Sequence, residues 1–170
     1  MPTFQTGPFV NLPDGPAVVD MPIIPGDGPI MPGGTRMLYV GTSGNLELTL
    51  VHSFSANGLL PAAINTSKKS ITIPNHGFLA GDRVMVANAG GALPGGLAAQ
   101  TPYYVIVVDV NTIQLAATVN GAAITLANQG SGTLSVFRST QYANVPVGLY
   151  QLAVKQVNAA TTAGNIVGLY

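Results

Sequence analysis

The stretch YYVIVVDVNTIQLA, residues 103–116, carries the clearest structural signal in this 170-residue chain. Its first six residues are apolar and rich in aromatic and β-branched side chains, which favours a strand over a helix. Residues 109–111 form a turn signal, after which Ile113 and Leu115 alternate with polar residues. We therefore predict a β-hairpin whose first strand, residues 103–108, is buried on both faces.

The same alternation recurs on either side of this hairpin. Residues 46–51 place three leucines on one face and Glu47 and Thr49 on the other, as in a half-buried strand. Asn120-Gly121 is the strongest two-residue hairpin signal, and it predicts a strand through Ile124 and Leu126. No window has helical spacing, so the sequence predicts an all-β protein.

Three regions follow from the order of these signals. Residues 36–60 and 137–170 predict a small β-sandwich or barrel domain that is split in sequence. Residues 61–136 predict an inserted antiparallel, β-barrel-like module of six strands. Residues 1–35 predict an extended, Pro/Gly-rich N-terminal arm.

The arm is defined by its prolines. Eight of the chain's 13 prolines fall in it, which excludes a helix or a central strand: Pro2, Pro8, Pro13, Pro16, Pro22, Pro25, Pro29 and Pro32. Its apolar residues are too numerous for a disordered linker, although a floppy tail is the alternative. We predict that the arm lies in a groove, most favourably one of a neighbouring subunit, and makes its contacts through Phe4, Phe9, Val10, Ile23 and Ile24.

The charge content narrows the choice of partners. Only 7% of the residues are charged, against about 25% in typical domains, and six Lys/Arg balance six Asp/Glu. So few charges predict that much of the surface is covered, either by other copies of the chain in a homo-oligomer or by another partner. The alternative is an uncovered, neutral surface that is rich in Thr, Asn and Gly. The basic residues are scattered, so we expect no nucleic-acid partner. The apolar run 103–108 is far shorter than the ~20 residues of a membrane span, and we expect no membrane partner.

The residues that could carry chemistry are few. The chain has no cysteine and two histidines, His52 and His76, of which His76 lies in a predicted turn. Asp82 and Asp109 also lie in turn signals, where Asp commonly caps its own backbone. Three further aspartates in the arm could bind calcium together with backbone carbonyls: Asp14, Asp20 and Asp27. We predict no enzyme activity, no cofactor and no metal.

Two stretches resemble known families. Residues 70–78 (SITIPNHGF) are followed by AGDRV at 80–84, GGL at 95–97, YYVI at 103–106 and GSGT at 130–133. This series resembles a small β module that recurs in phage tail, fibre and other surface proteins. The resemblance implies a structural or binding module without catalytic residues.

The flanking residues resemble a second family. The flanking segments are GTRMLYVG at 34–41, NVPVG at 144–148, residues 154–162 and IVGLY at 166–170. They are similar to segments of the head-spike base proteins of tailed phages and gene transfer agents. This sequence departs from that family because it carries the extra module in its middle.

The first functional hypothesis joins these observations. The resemblance implies a virion structural protein on the capsid surface, either a decoration protein or a head-spike base subunit. Such a subunit would form a trimer or pentamer and bind the major capsid protein or other virion proteins. The alternative is a carbohydrate-binding adhesin module of a tail fibre or spike, which would bind host-surface glycan. Sugar sites usually need exposed aromatic rings, and Tyr103 and Tyr104 are the tyrosines available in the module.

Overall fold

A computed structural model describes residues 20–26, 30 and 33–170. This part of the chain is all-β, as predicted, and its one helical element is a 3-10 turn at Pro61–Ala63. The strands are β1 Asp20–Ile23, β2 Met37–Thr42, β3 Gly44–Leu50, β4 Ser55–Leu59, β5 Ile64–Asn65, β6 Ser70–Thr72, β7 Arg83–Ala89, β8 Tyr103–Asp109, β9 Thr112–Ala116, β10 Thr133–Arg138, β11 Thr140–Val145, β12 Gly148–Tyr150, β13 Val154–Val157 and β14 Gly164–Leu169.

The first and last strands build a sandwich, which we call the base domain. One sheet has the order β1-β14-β2-β12 and the other the order β11-β3-β13, and all described pairings are antiparallel. The alternating apolar residues of β2, β3 and β14 meet between the sheets in one core, which includes Leu38, Val40, Leu46, Leu48 and Ile166. The split sandwich therefore closes around side chains from both ends of the chain.

The middle of the chain forms a single seven-stranded sheet, which we call the insert. Its order is β4-β10-β7-β8-β9-β6-β5, and its core includes Ile71, Val84, Val105, Ile113 and Val136. The two outermost strands are β4 and β5, so the sheet is open rather than barrel-like. It spans residues 55–138, because β4 and the end of β10 pair within it. Since β4 and β10 are neighbours, the chain enters and leaves the insert side by side.

The hairpin at residues 103–116 is present, but the prediction that its first strand is buried on both faces is wrong. Tyr103 and Val105 lie in the core, while Val107 and Val108 are 37% and 54% exposed. The strand extends past the part of the sheet that other segments cover. Continuous apolar sequence therefore does not guarantee burial on both sides.

The predicted strand through Ile124 and Leu126 is also absent. Asn120 has a positive φ of 58°, as a turn requires, but only one bridge follows, between Ala116 and Ala123. The segment instead runs as a loop over the core, where Leu126 is buried. At Gly96, with φ of 99°, a Cβ would lie 2.3 Å from the Thr125 carbonyl oxygen, so only glycine fits where the glycine-rich loop crosses this segment.

Residues 150–155 alternate between apolar and polar side chains, a pattern typical of one strand, but they do not form one. The structure places Tyr150 at the end of β12 in the four-stranded sheet and Val154 at the start of β13 in the three-stranded sheet. Residues 151–153 carry the chain from one sheet to the other. The apolar residues Tyr150, Leu152 and Val154 still recur at every second position, because both strands and the segment between them contact the same core.

The N-terminal arm is described only from Asp20 onward. Asp20–Ile23 pairs with β14 as the edge strand of the base domain, a position that tolerates Pro22. Ile23 packs against the base core of its own chain, and Ile24 is 67% exposed. The other predicted arm contacts lie outside the described residues: Phe4, Phe9 and Val10.

The two cores should respond independently to truncation. Leu48→Ala and Ile113→Ala each remove a fully buried side chain, one from the base core and one from the insert core. Each should lower the free energy of unfolding by about 2–5 kcal/mol. Because the two sites share no core cluster, the double variant should be additive within about 0.5 kcal/mol in urea denaturation. A coupling above 1 kcal/mol would contradict two separate cores.

Candidate functional site

The insert packs on the outer face of the three-stranded sheet of the base domain. Leu46 and Leu48 of β3 point into the base core, so Glu47 and Thr49 point the other way, toward the insert. Both are nevertheless buried, with exposures of 0% and 5%. The face that the sequence indicated as half-exposed is therefore the junction between the two units.

A buried ion pair holds this junction together. Arg83 at the start of β7 donates from Nε to Oε1 of Glu47 at 2.9 Å, and its Nη2 lies 2.8 Å from Oε2. Ser139, where the chain returns to the base domain, donates from Oγ to Oε1 at 2.6 Å. The carboxylate thus has a two-point contact with the guanidinium and a hydroxyl donor, which a buried charge requires.

Arg83 is held from its other side by the insert. Its Nη1 donates to the hydroxyl of Tyr104 at 2.6 Å, and its guanidinium carbon lies 5.6 Å from the centre of that ring. Burial by itself lowers the pKa of Arg83, but the hydrogen bond and charge of Glu47, aided by Tyr104, outweigh burial and raise it. The arginine consequently stays charged throughout the ordinary pH range.

The two tyrosines of the alternative hypothesis have different positions. Tyr103 is 5% exposed and lies in the insert core, where its hydroxyl accepts a hydrogen bond from the Ala98 amide at 2.7 Å. Its ring is therefore not available as a sugar platform, contrary to the prediction that allowed it this role. Tyr104 is half-buried and its hydroxyl is engaged by Arg83.

The histidine and the turn aspartates have backbone-capping contacts, as their positions predicted. His76 is buried; its Nδ1 accepts from the Phe78 amide at 3.0 Å, so Nε2 carries the proton and donates to the Asp109 carbonyl at 2.8 Å. Asp109 accepts from the Asn111 amide at 2.8 Å. The turn at His76 and the turn at Asp109 are thereby tied to each other.

Asp82 has a second role beyond its turn. It accepts from the Leu79 amide at 2.8 Å and also forms an ion pair with Arg138 at the end of β10. The Arg138 guanidinium lies 5.7 Å from the centre of the Phe78 ring. Among the described residues, no group of three or more His, Cys, Asp or Glu side chains is placed to hold a metal ion.

A cleft of about 250 Å³ opens between the base domain and the insert. The base domain contributes Thr49, Lys155 and Gln156, and the insert contributes Ser135 and Phe137. This cleft could not be predicted from the sequence, because its lining comes from strands that are distant in the chain.

The outer face of the four-stranded sheet is the other notable surface. Its register aligns Pro22, Val167, Tyr39 and Leu149 in one row across all four strands. Tyr39 and Leu149 are 40% and 54% exposed, and Pro22 is exposed as well. We call these four residues the apolar row. No helix among the described residues has the length and apolar character to cross a membrane.

The ion pair at the junction predicts an asymmetry between its two partners. Arg83→Met leaves a fully buried carboxylate with one hydroxyl donor and should lower the free energy of unfolding by about 3–5 kcal/mol. Glu47→Gln should cost less, because the Arg83 side chain is 18% exposed and keeps Tyr104 and water. The double variant should therefore be more stable than Arg83→Met alone. Urea denaturation measures all three variants, and a double variant that is less stable would contradict the assignment.

Comparisons of this chain with protein-family models, with curated proteins and with solved structures find no match.

Proposed function

We propose that the protein is a non-enzymatic virion structural subunit that binds the particle surface as a homo-oligomer through its base domain. The observation that carries the proposal is the apolar row on the outer face of the four-stranded sheet. The virion setting comes from the sequence resemblance to head-spike base proteins and phage surface modules. In this arrangement the base domain makes the contacts and the insert projects outward as a capsid decoration.

The apolar row has the character of a contact surface between copies of the chain. The outward positions of β2, β12 and β14 carry five apolar residues, Met37, Tyr39, Leu149, Val167 and Leu169, together with Gly41 and Asn165, and no charged residue. Contiguous apolar faces are uncommon on monomers, and each square ångström that becomes buried contributes about 25 cal/mol. A symmetric oligomer needs such a face because each copy presents the same surface to its neighbour.

The distribution of charge also favours self-association. The chain has six basic and six acidic residues. Among the described residues, four of them form two ion pairs that are at least partly buried: Glu47 with Arg83, and Asp82 with Arg138. The charge left for the surface is therefore even smaller than the composition indicates. Little repulsion opposes contact between copies.

The apolar row predicts a defined effect of charge on assembly. The wild-type chain should sediment as a single oligomer at tens of micromolar, and Tyr39→Lys with Leu149→Lys should shift it to the monomer. Val110→Lys is the matched control, since Val110 is 63% exposed in the turn between β8 and β9. Analytical ultracentrifugation measures the masses. A monomeric wild-type chain, or an oligomer that persists in the double lysine variant, would show that the row is not the interface.

The virion assignment predicts where the chain is found. Quantitative mass spectrometry of purified particles, with heads and tails separated, should detect it in the head fraction. A few dozen copies would indicate vertex spikes and hundreds would indicate decoration of the whole shell. Recovery with tails at a handful of copies would refute the capsid role and favour the adhesin hypothesis.

A further inference from the structure

The cleft between the base domain and the insert has the chemistry of a small-ligand site. Its volume of about 250 Å³ lies just below the roughly 300–1,000 Å³ of pockets for drug-sized ligands. Its position between two packed units is one where ligand sites commonly occur. An occupant of this cleft would be about the size of one sugar ring.

Gln156 is the side chain that points most directly to a ligand. It is 8% exposed and lines the cleft, yet its amide makes no hydrogen bond with any described residue. The amide atoms of Gln156 are not sealed from solvent, so a hydroxyl of a ligand can take the place of solvent at them. The amide of Gln156 therefore offers both a donor and an acceptor to whatever enters the cleft.

The opposite wall supplies an aromatic ring and hydroxyl groups. Phe137 and Ser135 lie on the face of β10 that points away from the insert core, and Ser55 pairs directly with Phe137 across β4. The Ser135 hydroxyl has no hydrogen-bond partner among the described residues, while Ser55 accepts a hydrogen bond from Asn57 at 3.0 Å. An aromatic face beside hydroxyl and amide groups suits a sugar ring, which has apolar C–H faces and hydroxyls at its edge.

The rim of the cleft is fixed rather than loose. Gln100, in the loop before β8, accepts a hydrogen bond from the Ala159 amide of the base domain at 3.3 Å. On the floor, Thr49 accepts from Asn158 at 3.3 Å. A rim held from both units lowers the entropy cost of closing around a small ligand.

Lys155 gives the cleft a charge. It is exposed, it lines the cleft, and it forms no ion pair with any described residue. No Asp or Glu of the described part of the chain lines the cleft. A lone ammonium group among neutral hydrogen-bonding groups favours an anionic substituent on the ligand.

We propose that this cleft binds a single sugar ring that bears a carboxylate, such as a uronic acid residue, independently of the oligomeric role of the base domain. Phe137 packs against one face of the ring, Ser135 and Gln156 bind its hydroxyls, and Lys155 pairs with the carboxylate. The site differs from the one expected at Tyr103 and Tyr104.

The test is a titration of the full ¹⁵N-labelled chain, followed by NMR, with glucuronic acid and with methyl glucoside as its neutral counterpart. Both should produce saturable shifts of the Ser135 and Gln156 amides. Glucuronic acid should bind about two- to five-fold more tightly at low salt, the range expected for one exposed ion pair. The absence of saturable shifts with both sugars, or shifts that map outside the cleft, would overturn the proposal.

Variants separate the two parts of the proposal. Ser135→Leu should fill the cleft and abolish binding of both sugars, and Phe137→Leu should weaken both while keeping an apolar side chain. Lys155→Gln should remove only the preference for glucuronic acid, and Lys69→Gln, at an exposed lysine away from the cleft, should change nothing. Unchanged binding in folded Ser135→Leu and Phe137→Leu would refute the cleft, and a preference retained in Lys155→Gln would refute the carboxylate contact.

Discussion

The buried contact between Glu47 and Arg83 sets the arrangement of the whole chain. A carboxylate with 0% exposure is tolerated only where its charge is compensated, since removing an ion from water costs several kcal/mol. The charge of Glu47 on β3 is compensated only when Arg83 on β7 of the insert and Ser139, between β10 and β11, lie beside it. The pair therefore specifies how the two units pack, more than it adds to their stability.

Packing at this junction divides the base domain into two different surfaces. The three-stranded sheet is covered by the insert, which buries Thr49 and leaves the cleft at its margin. The four-stranded sheet keeps its outer face open, with Tyr39 and Leu149 exposed. One surface suits a small polar ligand and the other suits an apolar partner, so the two proposed roles do not compete for the same residues.

The turns of the insert show how a chain with few charges stabilises its loops. His76, Asp82 and Asp109 all bond to backbone groups, and Arg138 joins Asp82 across the sheet. These polar side chains fix the conformation of the loops and do not form an exposed cluster that could bind a ligand. His76 and Asp82, which lie in the segments that resemble a phage surface module, thus have structural roles within the insert.

The sequence alone determined the all-β class, the hairpin at residues 103–116 and the backbone contact of Asp109, because alternation and turn chemistry are local properties. It also indicated a base domain split around an insert. Only the tertiary structure decided that Glu47 faces Arg83, that Tyr103 is buried, and that residues 124–126 form a loop. Alternation states which residues share a face of a strand, but what covers that face depends on segments far away in the chain. For the same reason the cleft around Gln156 and the apolar row through Tyr39 could not be read from the sequence.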